Sequence, residues 1–191
     1  MADPEQPSEG RTRRRRVRKA RKPDTSSTEA SRRADDAKGK PWTFPKHTLE
    51  EAIRVAKAIE EKNAGNPTRA DMLARAVGFN HASDWRFQDL LKAARMYGLV
   101  SGSGARVTVG LEKIGQDVVA PISPLQRQAA LRAAFHNVED FKKVDDFYRG
   151  KRIPEDEYFI NTLTRDFGIP RDRADKFSEN LLCQPSIPSI L

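Results

Sequence analysis

Apolar residues recur at helical spacing along most of the chain from residue 45 onward. The first such stretch places Leu49, Ile53 and Ile59 on one face of a helix. Thr48 precedes this stretch, and Glu51 follows Thr48 by three residues, which is the spacing of a capping box. We therefore predict a helix that begins after Thr48 and ends before the Gly-Asn-Pro sequence that follows it.

Two shorter helices are predicted next. Thr68 is expected to cap the second helix and Gly78 to end it. Its core-facing residues are predicted to be Met72, Leu73, Ala76 and Val77. Ser83 is expected to cap the third helix, which Gly98 ends. Successive residues of a helix are rotated by about 100°, so five apolar residues of the third helix lie on one face. They are Phe87, Leu90, Leu91, Ala94 and Tyr97.

A two-stranded hairpin and a further helix complete this part of the pattern. Strands are predicted at 99–101 and 106–109, around a Gly-Ser-Gly turn. A helix is predicted at 111–119, and Pro121 ends it. Residues 68–119 thus follow the order helix, turn, helix, hairpin, helix, which is the layout of a winged helix-turn-helix.

A residue pattern in the same region resembles winged-helix domains. It reads Arg86-Phe87-x-x-Leu90-Leu91-x-x-Ala94-x-x-Tyr97-Gly98-Leu99, followed by Leu111-x-x-x-Gly115 and Pro121. More closely, it resembles an uncharacterised prokaryotic family of that fold, whose members carry Leu-Thr-x-x-Gly after the wing. Glu112 stands here in place of the Thr. The resemblance covers about residues 45–121 and implies a fold rather than a function.

The pattern divides the chain into four parts. Residues 1–40 contain seven apolar residues and no aromatic residue, so we expect a disordered basic arm. Residues 41–121 are expected to form the winged-helix domain. Residues 122–183 predict amphipathic helices, which either pack on that domain as a helical layer or form an interface. Residues 184–191 lack a helical period and are expected to be an irregular tail. The predicted fold class is mainly α.

Positive charge is concentrated in the arm. Residues 1–40 hold 13 Lys or Arg against seven Asp or Glu, whereas the other 151 residues hold 22 against 20. Such a cluster can follow a phosphate backbone without sequence preference, and each contact adds salt dependence. The candidate nucleic-acid-binding residues of the arm are Arg13, Arg14, Arg15, Arg16, Arg18 and Lys19.

The face of the third helix opposite its apolar side has two possible binding functions. One is DNA binding, in which the helix enters the major groove. Its candidate residues are Arg86, Gln88, Lys92 and Arg95, together with Arg106 in the wing. The other is protein binding through Trp85 and Met96, an apolar pair predicted to face outward. Alternatively, Trp85 folds back over the preceding turn and belongs to the core. Asp89 at the centre of the face would repel phosphate.

The sequence offers little support for catalysis. The three histidines and the single cysteine, Cys183, lack metal-ligand spacing, and no cofactor motif occurs. No apolar run reaches the roughly 18 residues of a membrane span. We therefore expect a non-enzymatic, cytoplasmic DNA-binding or regulatory protein, with nucleoid association as a further expectation. The alternative is a protein adaptor or oligomerisation module that uses the same fold, with a protein partner or a second copy.

Overall fold

The computed structural model describes residues 41–102 and 107–183, and this part of the chain is mainly helical with a small sheet. The helices are α1 (Leu49–Asn63), α2 (Ala70–Val77), α3 (Trp85–Met96), α4 (Lys113–Val119), α5 (Pro124–His136), α6 (Glu139–Tyr148), α7 (Asp156–Asp166) and α8 (Arg171–Leu182). The strands are β1 (Thr68–Arg69), β2 (Val100–Ser101) and β3 (Thr108–Leu111). The predicted mainly α fold class is confirmed at this level.

The start of α1 is the capping box that the sequence predicts. The Thr48 side chain accepts a hydrogen bond from the Glu51 backbone N–H at 3.2 Å. The Glu51 carboxylate in turn accepts one from the Thr48 N–H at 3.3 Å. These bonds satisfy two of the amide groups that the first turn of any helix leaves without partners. After α1, Ala64 adopts a left-handed conformation with φ of 47°, which turns the chain away from the helix axis.

The sheet contains one strand, β1, that was not predicted from the sequence. β3 lies between β1 and β2, and both pairings are antiparallel. Thr68, which was predicted to cap α2, instead lies in β1 and pairs with Val109. Arg69 occupies the cap position of α2 and makes no side-chain capping bond. A two-residue strand has no period of its own, so only its pairing with β3 defines it.

Three further expectations about α2 and α3 are wrong. Met72 and Ala76 are exposed, although Leu73 and Val77 are buried as predicted. The cap of α3 is Asp84 rather than Ser83, because the Asp84 carboxylate accepts the Arg86 backbone N–H at 2.9 Å. The predicted core face of α3 is confirmed, since all five of its apolar residues are buried.

Helix α4 packs on the chain just before β2 through a glycine. It begins at Lys113, later than predicted, because Leu111 is still paired with Val100 in the sheet. A Cβ atom at Gly115 would overlap the Leu99 carbonyl oxygen and lie 2.8 Å from the Leu99 carbonyl carbon. Only glycine therefore permits this approach of helix to backbone.

The helices after residue 122 share one hydrophobic core with the elements before it. Phe44, which precedes α1, lies with its ring centroid 5.0 Å from that of Phe177 on α8. Tyr97, at the end of α3, lies 6.3 Å from Phe141 on α6. Phe141 also stacks on Phe135 of α5 at 5.3 Å. This aromatic cluster joins α5, α6 and α8 to the end of α3 and holds α3 in place.

Candidate nucleic-acid interface

Helix α3 is fixed at its C-terminal end by two long-range hydrogen bonds. The Tyr97 hydroxyl donates to the His47 carbonyl at 3.1 Å. The Asn137 side chain donates to the Met96 carbonyl at 2.9 Å, which satisfies one of the free carbonyls of the last turn. Burial raises the pKa of the Tyr97 phenol well above its usual range, so it remains a neutral donor. The exposed face of α3 is thus presented on a rigid support.

Arg86 is held by the cap of its own helix. Its guanidinium donates to both oxygens of Asp84, at 3.0 Å and 3.2 Å. The hydrogen bonds from the Arg86 side chain and backbone lower the pKa of Asp84 below its ordinary value, so the carboxylate stays charged. The Arg86 side chain is exposed, whereas that of Asp84 is half-buried. Arg86 would have to leave this bidentate pair before it could contact a phosphate.

Gln88 and Asp89 are also engaged. The Gln88 side-chain amide donates to the Ala82 carbonyl, so in this conformation it does not present its amide to a base edge. Asp89 accepts from Lys46 at 2.7 Å. The Lys46 ammonium lies 5.4 Å from the centroid of the Trp42 ring. Pairing with Lys46 reduces the repulsion of phosphate that the sequence led us to expect from Asp89.

Lys92 and Arg95 differ from these residues, because both are exposed and neither makes an ion pair within 41–102 or 107–183. Both line a groove of about 670 Å³. We call it the α3–β2 groove, and its lining residues are Lys92, Arg95, Met96, Gly98, Val100, Ser101, Gly102, Glu112, Lys113, Ile114 and Asn137. The structure therefore brings two of the predicted cations together beside strand β2.

Three polar members of this groove were not among the site residues predicted from the sequence. Lys113 and Glu112 enter it from the start of α4, and Asn137 enters it from the end of α5. Lys113 is paired with Asp117 one turn later, at 2.6 Å. No pattern within α3 could have identified these residues, because they are brought there by the packing of α4 and α5.

Trp85 and Met96, the apolar pair predicted to face outward, lie at opposite ends of α3. Trp85 is 72% exposed at the first turn of α3, so it does not fold back into the core. Met96 is half-buried and lines the α3–β2 groove at the last turn. They lie eleven positions apart in the sequence, which is roughly 16 Å along a helix. Each is therefore a separate feature of the α3 surface.

Several predicted site residues lie outside the described residues. They are Arg13, Arg14, Arg15, Arg16, Arg18 and Lys19 of the predicted arm, and Arg106 between β2 and β3. The predicted tail at 184–191 lies outside them as well.

The part of the chain that the structure describes holds no cluster of three or more His, Cys, Asp or Glu suited to a metal ion. Across 41–102 and 107–183, none of the helices has the length and hydropathy needed to cross a membrane. No protein-family model, curated protein or solved structure matches this chain.

Proposed function

We propose that residues 41–121 form a winged helix-turn-helix domain that binds duplex DNA without catalysis, through the α3–β2 groove. In this proposal β2 and β3 form the wing, and α3 is the helix that faces DNA. Lys92 and Arg95 contact phosphates, and the basic arm at 1–40 adds contacts that have no sequence preference.

The order of elements supports the fold part of the proposal. From α1 to α4 the chain runs helix, strand, helix, helix, hairpin, helix. The sheet order β1-β3-β2 places both other strands on β3, so the hairpin is anchored beside α2 through β1. This arrangement leaves one face of α3 exposed next to the hairpin, which is the geometry that a winged helix needs to reach DNA.

The observation that carries the proposal is the position of Lys92 and Arg95. These two cations lie three residues apart on α3, in one groove with Ser101 and Gly102 at the end of β2. A cation already paired with a carboxylate must give up that partner before it binds phosphate, which reduces the net gain. Since Lys92 and Arg95 have no such partner among the described residues, they contact phosphate without that penalty.

The same geometry favours contacts to phosphate over the reading of bases. Gln88 donates to Ala82 and Arg86 is paired with Asp84, so both residues predicted near the start of α3 are occupied. Contacts to phosphate position a protein on DNA and carry no direct sequence information. We therefore propose general duplex binding by the domain rather than recognition of one site.

The test is the affinity of the full-length chain for a fluorescein-labelled duplex of about 20 base pairs, measured by anisotropy at low salt. The double variant Lys92→Ala/Arg95→Ala should bind about tenfold more weakly, which is about 1.4 kcal/mol. The matched control is Arg127→Ala/Arg132→Ala, which removes the same charge from exposed positions on α5. Equal affinity of the two double variants would mean that the α3–β2 groove does not bind DNA.

A second candidate function is protein docking, and the exposure of Trp85 favours it. A tryptophan that is 72% exposed on a helix is typical of residues that anchor protein interfaces. If Trp85 mediates self-association, sedimentation velocity should show a species larger than the monomer for the wild type and the monomer alone for Trp85→Ala. If both proteins are monomeric at all concentrations, self-association does not explain the exposure of Trp85.

A further inference from the structure

A second groove lies on the side of α2 that faces the end of α1. It has a volume of about 620 Å³. We call it the α1–α2 groove, and its lining residues are Ala58, Lys62, Asn63, Pro67, Thr68, Arg69, Met72, Leu73, Arg75 and Ala76. It shares no lining residue with the α3–β2 groove. Its volume falls within the roughly 300–1,000 Å³ of clefts that bind ligands.

The middle of this groove is apolar. Leu73 and Ala58 are buried beneath it, and Ala76 and Met72 line it from α2. Met72 is 65% exposed, although its position in the sequence predicted a core residue. An exposed methionine is a flexible and polarisable contact surface that adapts to different apolar side chains. The groove therefore offers a site for an apolar group.

The rim of the groove is positively charged. Lys62, Arg69 and Arg75 are exposed there, and none of the ten lining residues is acidic. Arg69 has one long ion pair, 4.0 Å from Asp71. Lys62 and Arg75 make no ion pair with any residue that the structure describes. Three cations around an apolar centre are complementary to a ligand that is acidic at its edges and apolar in the middle.

We propose that the α1–α2 groove binds a short segment of a partner protein that carries a large apolar side chain flanked by Asp or Glu. The apolar side chain would pack on Met72, Leu73 and Ala76. The carboxylates would pair with Lys62, Arg69 and Arg75. This mode corresponds to an amphipathic peptide that lies in a groove and is fixed by an apolar anchor.

A partner protein fits this groove better than nucleic acid does. Single strands bind basic grooves that also supply aromatic rings for base stacking, and the lining residues include none. A phosphate backbone would pair with the three cations but leave Met72 and its apolar surroundings without a matching group. Because the two grooves share no residue, a partner bound here leaves Lys92 and Arg95 free to contact DNA.

The experiment begins with selection of a phage-displayed library of random peptides, about 12 residues long, on the immobilised full-length chain. The recovered peptides should combine Leu, Ile, Phe or Trp with Asp or Glu. Recovery of peptides without this combination would overturn the proposal. One synthetic peptide from the selection is then labelled, and its affinity is measured by fluorescence anisotropy.

The affinity measurements compare Met72→Asp and Arg75→Glu with Arg132→Glu, an equal charge reversal at an exposed position on α5. Arg75→Glu and Met72→Asp should each weaken binding about tenfold, and Arg132→Glu by less than about twofold. A second peptide carries Lys in place of the acidic residues of the selected peptide. The Arg75→Glu variant should bind this Lys peptide more tightly than it binds the selected peptide. Equal binding by all variants would contradict the proposal.

The same variants distinguish the partner from DNA. Because Met72 and Arg75 are both exposed, their variants should fold. Thermal melts followed by circular dichroism check this for each variant. Arg75→Glu should bind labelled duplex no more weakly than Arg132→Glu does. If Arg75→Glu selectively loses duplex binding and retains the peptide, the groove binds nucleic acid and the peptide proposal is wrong.

Discussion

Gly115→Ala tests the packing of α4 in this fold. The added methyl group would overlap the carbonyl oxygen of Leu99 and lie 2.8 Å and 3.1 Å from the carbonyl carbon and Cα of that residue. The obstacle is backbone, which cannot change rotamer to make room. The Leu99 carbonyl is also held in place, because it accepts the Glu112 N–H at 3.0 Å. Helix α4 would have to move away by roughly 1 Å or more to restore ordinary contact distances.

The magnitude follows from opposing effects. Inserting a methyl group into a packed contact typically costs about 1–3 kcal/mol. Weakening the bond from Glu112 to Leu99 costs roughly a further 0.5–1.5 kcal/mol. Replacing a helical Gly by Ala recovers up to about 1 kcal/mol. We expect a net loss of about 2 kcal/mol in the free energy of unfolding, or roughly 4–8 °C in Tm for a chain of this size.

The assay is urea unfolding of the full-length chain, with Gly110→Ala as the matched control. A Cβ at Gly110 would meet nothing closer than the Ser101 hydroxyl oxygen at 3.5 Å, which is an ordinary contact. This control should differ from the wild type by no more than about 0.5 kcal/mol. If Gly115→Ala is as stable as Gly110→Ala, the close approach of α4 to Leu99 is not present in the protein.

Three other predictions concern single side chains. Asp145 is only 8% exposed and accepts a hydrogen bond from His136 at 2.8 Å. Asp145→Ala should therefore lower the free energy of unfolding by about 1–3 kcal/mol, measured by urea titration. An unchanged urea midpoint would contradict this prediction. Thr48→Ala removes the capping box and should cost about 1 kcal/mol by the same method, whereas no loss would mean that the cap is not formed. The ion pair with Arg86 lowers the pKa of Asp84 in the folded protein below its ordinary value of 3.8. The wild type should therefore be more stable than Asp84→Asn, and this difference should be complete above pH 3.8. The difference should disappear as the pH falls through the lowered pKa of the folded protein. An advantage that persists at lower pH would refute the pairing.

Local sequence patterns were sufficient to predict the helices that depend on local interactions. Thr48 and Glu51 satisfy the first amides of α1 within four residues, so their spacing alone identified the helix start. The apolar face of α3 was correct because a regular period of apolar residues almost always marks the buried side of a helix. The Leu111-x-x-x-Gly115 pattern is evident in the sequence, but its cause, the approach to Leu99, is visible only in the structure.

Features that depend on distant residues could not be predicted in this way. Thr68 belongs to a strand only because Val109, about forty residues later, pairs with it. The expected repulsion from Asp89 is reduced because Lys46 reaches it from before α1. Helical period placed Met72 in the core, but the structure leaves it exposed. The two grooves were missed for the same reason, since each is lined by elements that are separate in sequence.

The salt dependence of duplex binding tests the proposed function most directly. The slope of log K against log salt is negative, and removal of one phosphate contact with duplex DNA reduces its magnitude by about 0.9. Lys92→Ala/Arg95→Ala should therefore reduce the magnitude of the slope by about 1.8, and Arg127→Ala/Arg132→Ala should leave it unchanged. The same reduction should be seen when the six candidate residues of the basic arm are replaced by Gln, because the groove acts independently of the arm. An identical slope for the wild type and Lys92→Ala/Arg95→Ala would contradict DNA binding by the α3–β2 groove.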